Sequence, residues 1–114
     1  MSSSTSSSQA PPGLFAQELV ENLIDTTKIA IFSKSWCPHC RAAKALFAQH
    51  FPEEETLIIE LDKRDDGDEI QDYLAEKTGQ TSVPNVFVNK RQIGGNDKTQ
   101  AAFRSGELTR LVNL

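Results

Sequence analysis

Two cysteines stand in the stretch Ser35-Trp36-Cys37-Pro38-His39-Cys40, and the 114-residue chain contains no others. A pair at this spacing can cycle between dithiol and disulfide, supply half of a metal site, or be two buried thiols that happen to be close. A structural zinc site takes four ligands, and the chain adds only His39 and His50 to the two sulfurs. His39 points away from the seam between the cysteines if a helix begins at Pro38, and His50 lies about 15 Å along that helix. No metal is expected, and redox exchange is the reading the pair supports best.

The two thiols are not equivalent. Cys37 follows the apolar run KIAIFSK, read as a buried strand. Pro38 suits the first turn of a helix, where its fixed φ helps and its missing N–H costs nothing. The open N–H groups and dipole of that helix end favour an anion, so Cys37 is expected to be a thiolate nucleophile, with a pKa in the range of roughly 3.5–7.5. Lys34, three residues earlier, adds positive charge. Cys40, one turn further in, is expected to be less exposed and nearer its ordinary pKa. On this reading Cys37 attacks and Cys40 resolves. A partly protonated His39 imidazole would stabilise the thiolate further.

The elements that must hold this pair follow from periodicity. In LFAQELVENLI, Leu14, Phe15, Leu19, Val20, Leu23 and Ile24 share one helical face. RAAKALFAQHF turns Ala43, Leu46 and Phe47 inward, and TLIIELD reads as a second strand. The segment between the turn residues KRDDGD and Gly79 is a helix with Ile70, Tyr73 and Leu74 inward. NVFV, a turn at Asn89-Lys90-Arg91 and a short strand around Gln92-Ile93 form an antiparallel hairpin. One or two helices end the chain, with Asn96 or Asp97 as N-cap. The order α-β-α-β-α-β-β-α makes the first two strands a parallel pair and the last two a hairpin. It predicts an α/β fold with a central mixed four-stranded sheet flanked by helices on both faces.

Two further constellations belong near the cysteines. Ser82-Val83-Pro84 precedes a strand, and a cis bond before Pro84 would turn the Val83 backbone outward, free to pair with an extended peptide-like ligand. Gly94-Gly95-Asn96-Asp97 marks a strand-to-helix junction whose helix end could bind a carboxylate while Asp97 pairs with an ammonium group.

Composition narrows the partners. With 38% hydrophobic and 25% charged residues the chain is ordinary for a globular domain, and its net charge of −4 comes without any basic block. Neither nucleic acid nor a membrane surface is an expected partner. Residues 1–13, MSSSTSSSQAPPG, read as a disordered Ser-rich tail before a single domain at 14–114. That tail lacks the basic start and apolar stretch of a secretory signal, so a reducing, cytoplasmic setting is expected.

FSKSWCPHC, EIQDYL, TGQTSVPNVFVN and IGGND, in this order and spacing, resemble the motifs of the glutaredoxin family, in its dithiol class, across residues 14–114. The resemblance implies a thioredoxin-like fold and a monomeric reductase. Its co-substrate would be glutathione, and its targets glutathionylated proteins and disulfide substrates. It implies Cys37 as acceptor of the glutathionyl group, Cys40 as resolving thiol, and Lys34 and Gln71 at the glycine carboxylate of glutathione. Val83, between Ser82 and Pro84, would offer its backbone to the glutathione cysteine, and Gly95, Asn96 and Asp97 would hold the γ-glutamyl end. His39 stands against glutathione where the family usually has Tyr, Ser82 where Thr is usual, and Lys98 where a second acid is usual.

Two other readings stay open. A thioredoxin-type protein disulfide reductase would share Trp36 before the first cysteine, but that family has Gly-Pro between its cysteines and lacks IGGND. A non-enzymatic carrier would hold an iron–sulfur cluster in a dimer through Cys37 and glutathione. Pro38 disfavours it, since cluster binders of the family usually have a smaller residue there.

Overall fold

The structure, a computed structural model, describes residues 14–114; the tail expected over 1–13 lies outside the described residues. Helix α1 (Leu14–Thr26) leads into β1 (Ile29–Ser33), α2 (Pro38–His50) and β2 (Thr56–Glu60). A 3₁₀ turn (Leu61–Lys63) precedes α3 (Gly67–Thr78), followed by β3 (Asn85–Val88), β4 (Arg91–Gly94), α4 (Asn96–Ser105) and α5 (Glu107–Val112). The four strands form one sheet in the order β2-β1-β3-β4. β1 runs parallel to β2 and antiparallel to β3, and β3 is antiparallel to β4. This is the mixed sheet that the order of elements predicts.

Strand alternation builds a core on each face. From β1, Ala30 and Phe32 pack with Phe87 of β3 against α1 and α3, through Val20, Ile24, Ile70 and Leu74. Ile29 and Ile31, with Val86 and Val88, face the other way onto Ala43, Leu46 and Phe47 of α2 and Leu108 and Leu111 of α5. Phe32 and Phe87 meet edge-to-face at 5.8 Å between ring centroids, which locks the centre of the first layer.

Three local expectations are corrected. The buried stripe of α1 is Ala16, Val20 and Ile24, with Leu19 and Leu23 on its flank; Phe15 is 66% exposed. At about 100° per residue, Phe15 stands well round the helix from Ala16. The hairpin turn is the pair Asn89-Lys90, both at positive φ (48° and 73°), and Arg91 already belongs to β4. Two-residue turns of this kind match the twist of the strands they join. Finally, the N-cap of α4 is Gly95, not Asn96 or Asp97. Asn96 instead accepts a hydrogen bond from Gln100 Nε2 at its Oδ1, 3.1 Å away, one turn along the helix. No helix among the described residues is long and apolar enough to cross a membrane.

Candidate active site

Cys37 is the residue at which β1 becomes α2. It sits in extended conformation (φ −85°, ψ 122°) as the N-cap of α2, with Pro38 in the first turn. Its Sγ accepts the N–H of Cys40 at 3.4 Å, the bond an N-cap oxygen usually makes, here made to sulfur. The capping interaction and the thiolate chemistry are thus one contact.

Burial is the largest influence on Cys37 and works against ionisation. The Cys40 N–H, the Cys40 thiol as donor, the His39 N–H and the Lys44 ammonium together outweigh it, and hold the Cys37 thiol below its ordinary range. Cys40 is the opposite case. Fully buried, it is pushed up by that burial and by the neighbouring Cys37, which the N–H of Lys34 and the hydroxyl of Ser33 do not offset. The predicted asymmetry is present, with Cys37 6% exposed and Cys40 at zero.

Two causes differ from expectation. The cation that acts on Cys37 is Lys44, which lies on the same helix; the Lys34 Nζ stands over the Trp36 ring, 6.0 Å from its centroid. What His39 gives the thiolate is its main-chain N–H. Replacing its ring should therefore change little. His39→Tyr is expected to leave the Cys37 pKa where it is, while Lys44→Met raises it, both read from the pH dependence of Cys37 alkylation. A raised pKa in His39→Tyr would show that the imidazole matters.

A cleft of about 380 Å³ opens beside the pair, lined by His39, Gln80, Ser82–Pro84 and Gly95–Lys98. Among the predicted binding residues it unites His39, Ser82, Val83, Pro84, Gly95, Asn96 and Asp97. Cys37 adjoins this cleft through Val83, whose carbonyl oxygen is 3.9 Å from Cys37 Sγ, and the Val83–Pro84 peptide is cis. Lys34 and Gln71 are not among the lining residues. The Gln71 Nε2 donates to Thr81 O at 2.8 Å, bracing the loop that carries Val83.

Gln80 is the residue that the sequence reading missed. Its Nε2 donates to Ser82 O (2.9 Å) and Pro84 O (2.8 Å), clamping the two carbonyls on either side of Val83. Its Oε1 accepts from Gln92 Nε2 at 3.2 Å, and Gln92 also donates to the buried Asn85 at 3.0 Å. No motif announces this brace, because Gln92 arrives from the far strand of the hairpin. Lys44 did carry a signal: it is one turn from Cys40 and two from Cys37 on one helical stripe.

Comparison with known proteins agrees with this geometry. The glutaredoxin family model matches residues 29–93. Glutaredoxin-C8 of Oryza sativa subsp. japonica is 44% identical over 95 residues, covering 83% of this chain and 70% of that protein. The crystal structure of a buckwheat glutaredoxin–glutathione complex superposes with a TM-score of 0.83 at 36% identity, covering 89% of this chain and 90% of that one. Wheat glutaredoxin does so with a TM-score of 0.82 at 41% identity, over 90% and 95% of the two chains. A cysteine-capped helix at the end of a parallel strand, beside a cleft of peptide groups, thus comes with matching fold and sequence, and the chain belongs to the glutaredoxin family of thiol–disulfide oxidoreductases, with a thioredoxin-like fold.

Proposed function

We propose that the protein is a dithiol, glutathione-dependent reductase of glutathione mixed disulfides and protein disulfides. The observation that carries this reading is the inequality of the two thiols at the edge of a cleft built from peptide groups: Cys37 held low beside Val83 O, Cys40 buried and held high. The Cys37 thiolate attacks the glutathione sulfur of a mixed disulfide. The Cys37–glutathione bond forms, the substrate–glutathione bond breaks, and the substrate leaves as a thiolate. A second glutathione then attacks the glutathione sulfur, forming glutathione disulfide and freeing the Cys37 thiolate, or Cys40 attacks the Cys37 sulfur, forming the Cys37–Cys40 disulfide and releasing glutathione as a thiolate.

In the cleft, the Val83 main chain pairs with the cysteine residue of glutathione. The γ-glutamyl carboxylate lies at the start of α4, whose first turn has no side-chain cap and so leaves its N–H groups open to an anion. Asp97 takes the α-ammonium group, and the Lys98 ammonium beside it adds positive charge at the carboxylate. Lys34 and Gln71 hold the glycine carboxylate at the other end. The glutathione complex of the buckwheat relative supports this choice of ligand.

Electron donors test the reading against a thioredoxin-type enzyme. With a small glutathione mixed disulfide as substrate, turnover is expected from glutathione, glutathione reductase and NADPH, and none from thioredoxin reductase and NADPH. The reverse pattern would establish the thioredoxin-type activity.

A further inference from the structure

The loop from Thr81 to Pro84 brings its main chain to Cys37, and glutamine side chains hold it there. Of its four consecutive carbonyls, three end on glutamine amides. Gln71 Nε2 donates to Thr81 O at 2.8 Å, and Gln80 Nε2 donates to Ser82 O at 2.9 Å and to Pro84 O at 2.8 Å. The fourth, Val83 O, stands 3.9 Å from Cys37 Sγ, and the Val83 N–H makes no hydrogen bond among the described residues. The flanking carbonyls are thus occupied, and the Val83 main chain is left to the cleft.

A side-chain amide has two protons and one carbonyl oxygen, and Gln80 uses all three. Both protons go to the loop, and Oε1 accepts from Gln92 Nε2 at 3.2 Å. Turned over, the amide would set its oxygen against two carbonyl oxygens, so only one orientation serves. Gln92 is anchored in turn. Its Nε2 donates to Oδ1 of the buried Asn85 at 3.0 Å, and Asn85 Nδ2 donates to Thr78 Oγ1 at 3.4 Å, in the last residue of α3. The Gln80 main-chain N–H meets the same hydroxyl oxygen at 3.1 Å. The contacts close a ring across α3, the loop, β3 and β4.

We propose that Gln80 is a positioning residue for glutathione, fixing the Val83 main chain on which the ligand's cysteine residue pairs, and that Gln92 acts through it. The proposal rests on the glutathione-dependent reading given above. Main-chain pairing is directional, since a hydrogen bond weakens steeply away from its preferred distance and angle. A Val83 already held in place receives the ligand without first being ordered, which removes that entropy cost from binding. The thiol chemistry is set by other groups, those of Cys40, His39 and Lys44. Loss of the clamp should therefore weaken capture of a glutathione mixed disulfide and leave the nucleophile itself as it is.

The test compares two reactions of Cys37 in wild type, Gln80→Glu, Gln80→Leu, Gln92→Leu and the double variant Gln80→Leu/Gln92→Leu. One is kcat/KM for a small glutathione mixed disulfide, which uses the cleft; the other is alkylation by iodoacetamide, which does not. Gln80→Glu keeps the size and shape of the side chain but has no proton to give either carbonyl. Both Gln80 variants are expected to lower kcat/KM about tenfold, the factor carried by roughly one hydrogen bond. Alkylation should keep its wild-type rate. Gln92→Leu should lower kcat/KM about threefold, and the double variant should be no worse than Gln80→Leu, because Gln92 has lost the residue it acts through. Gln92 is exposed on β4, so its variant decides the matter if those of Gln80 fold poorly. Wild-type kcat/KM in the variants would overturn the clamp alone. Alkylation slowed in step with kcat/KM would also overturn it, as the mark of a general disturbance. If wild-type protein itself does not turn over the glutathione mixed disulfide, the glutathione-dependent reading falls and the clamp's role with it.

Discussion

Cys37→Ser is expected to bring glutathione-dependent reduction of a small mixed disulfide to background, a loss of roughly three orders of magnitude or more, as for other deleted nucleophiles. Cys40→Ser is expected to keep it. A serine hydroxyl at position 37 remains protonated at any working pH, and the N–H groups, Cys40 thiol and Lys44 charge that favour a thiolate there have no anion to stabilise. The Cys40 variant retains the main-chain N–H that caps Cys37 Sγ, and free glutathione can still regenerate Cys37. Protein disulfides that require an internal resolving thiol should be lost in both. Equal loss of mixed-disulfide reduction in both variants would exclude the division of labour. The pH dependence has a definite sign. The first step should hold its rate down through the ordinary thiol range and decline only as pH falls through the lowered Cys37 pKa. Stability follows the same sense. The stabilisation of the anion is present above the unfolded thiol pKa and is lost as pH falls through the folded one.

Gly67→Ala is expected to be among the most damaging single-methyl additions in the chain. Gly67 opens α3 directly beneath the 3₁₀ turn, and a Cβ there would lie 1.9 Å from Leu61 O and 2.8 Å from its carbonyl carbon. Both are backbone atoms, so no side chain can swing aside. Leu61 is itself buried in the core beside Ile70. Separating the two segments should cost about 3 kcal/mol, near the upper end for overpacking, or about 10 °C in Tm for a domain of this size. Gly79→Ala is the control. Gly79 ends α3 at φ +81°, yet a Cβ there meets nothing within 4 Å, so only the backbone cost of about 1 kcal/mol applies. Thermal unfolding of both variants checks the order. Equal losses would mean that the Leu61 contact relaxes freely. Displacement of α3 would also disturb Gln71, which braces the Val83 loop from that helix.

Much of the architecture was legible because it depends on local pattern. Apolar runs at strand length, helical stripes such as Ile70 and Leu74, and Pro38 at a helix start are written in consecutive residues, and their order dictates a mixed sheet. The misreadings concern a few ångströms. Phe15 looked like core because hydrophobicity does not say where a helix meets the sheet. Asn96 looked like a cap because residue type does not reveal that its side chain turns to Gln100.

The candidate site divides along the same line. The sequence by itself determined the chemistry: two sulfurs at helix-start spacing, unequal by position, with Val83-Pro84 and a glycine-rich helix start as companions. Only the tertiary structure decided which groups act on them. It made Lys44 rather than Lys34 the cation felt by Cys37, clamped the Val83 loop with Gln80 and Gln92, and paired Ser33 of β1 with Glu60 of β2. The physical reason is range. Capping and helix dipoles act within a turn of the chain, so adjacent residues reveal them. Hydrogen bonds and charges act over a few ångströms of space, and the strand pairing that brings Glu60 to Ser33, 27 residues away, exists only once the chain has folded.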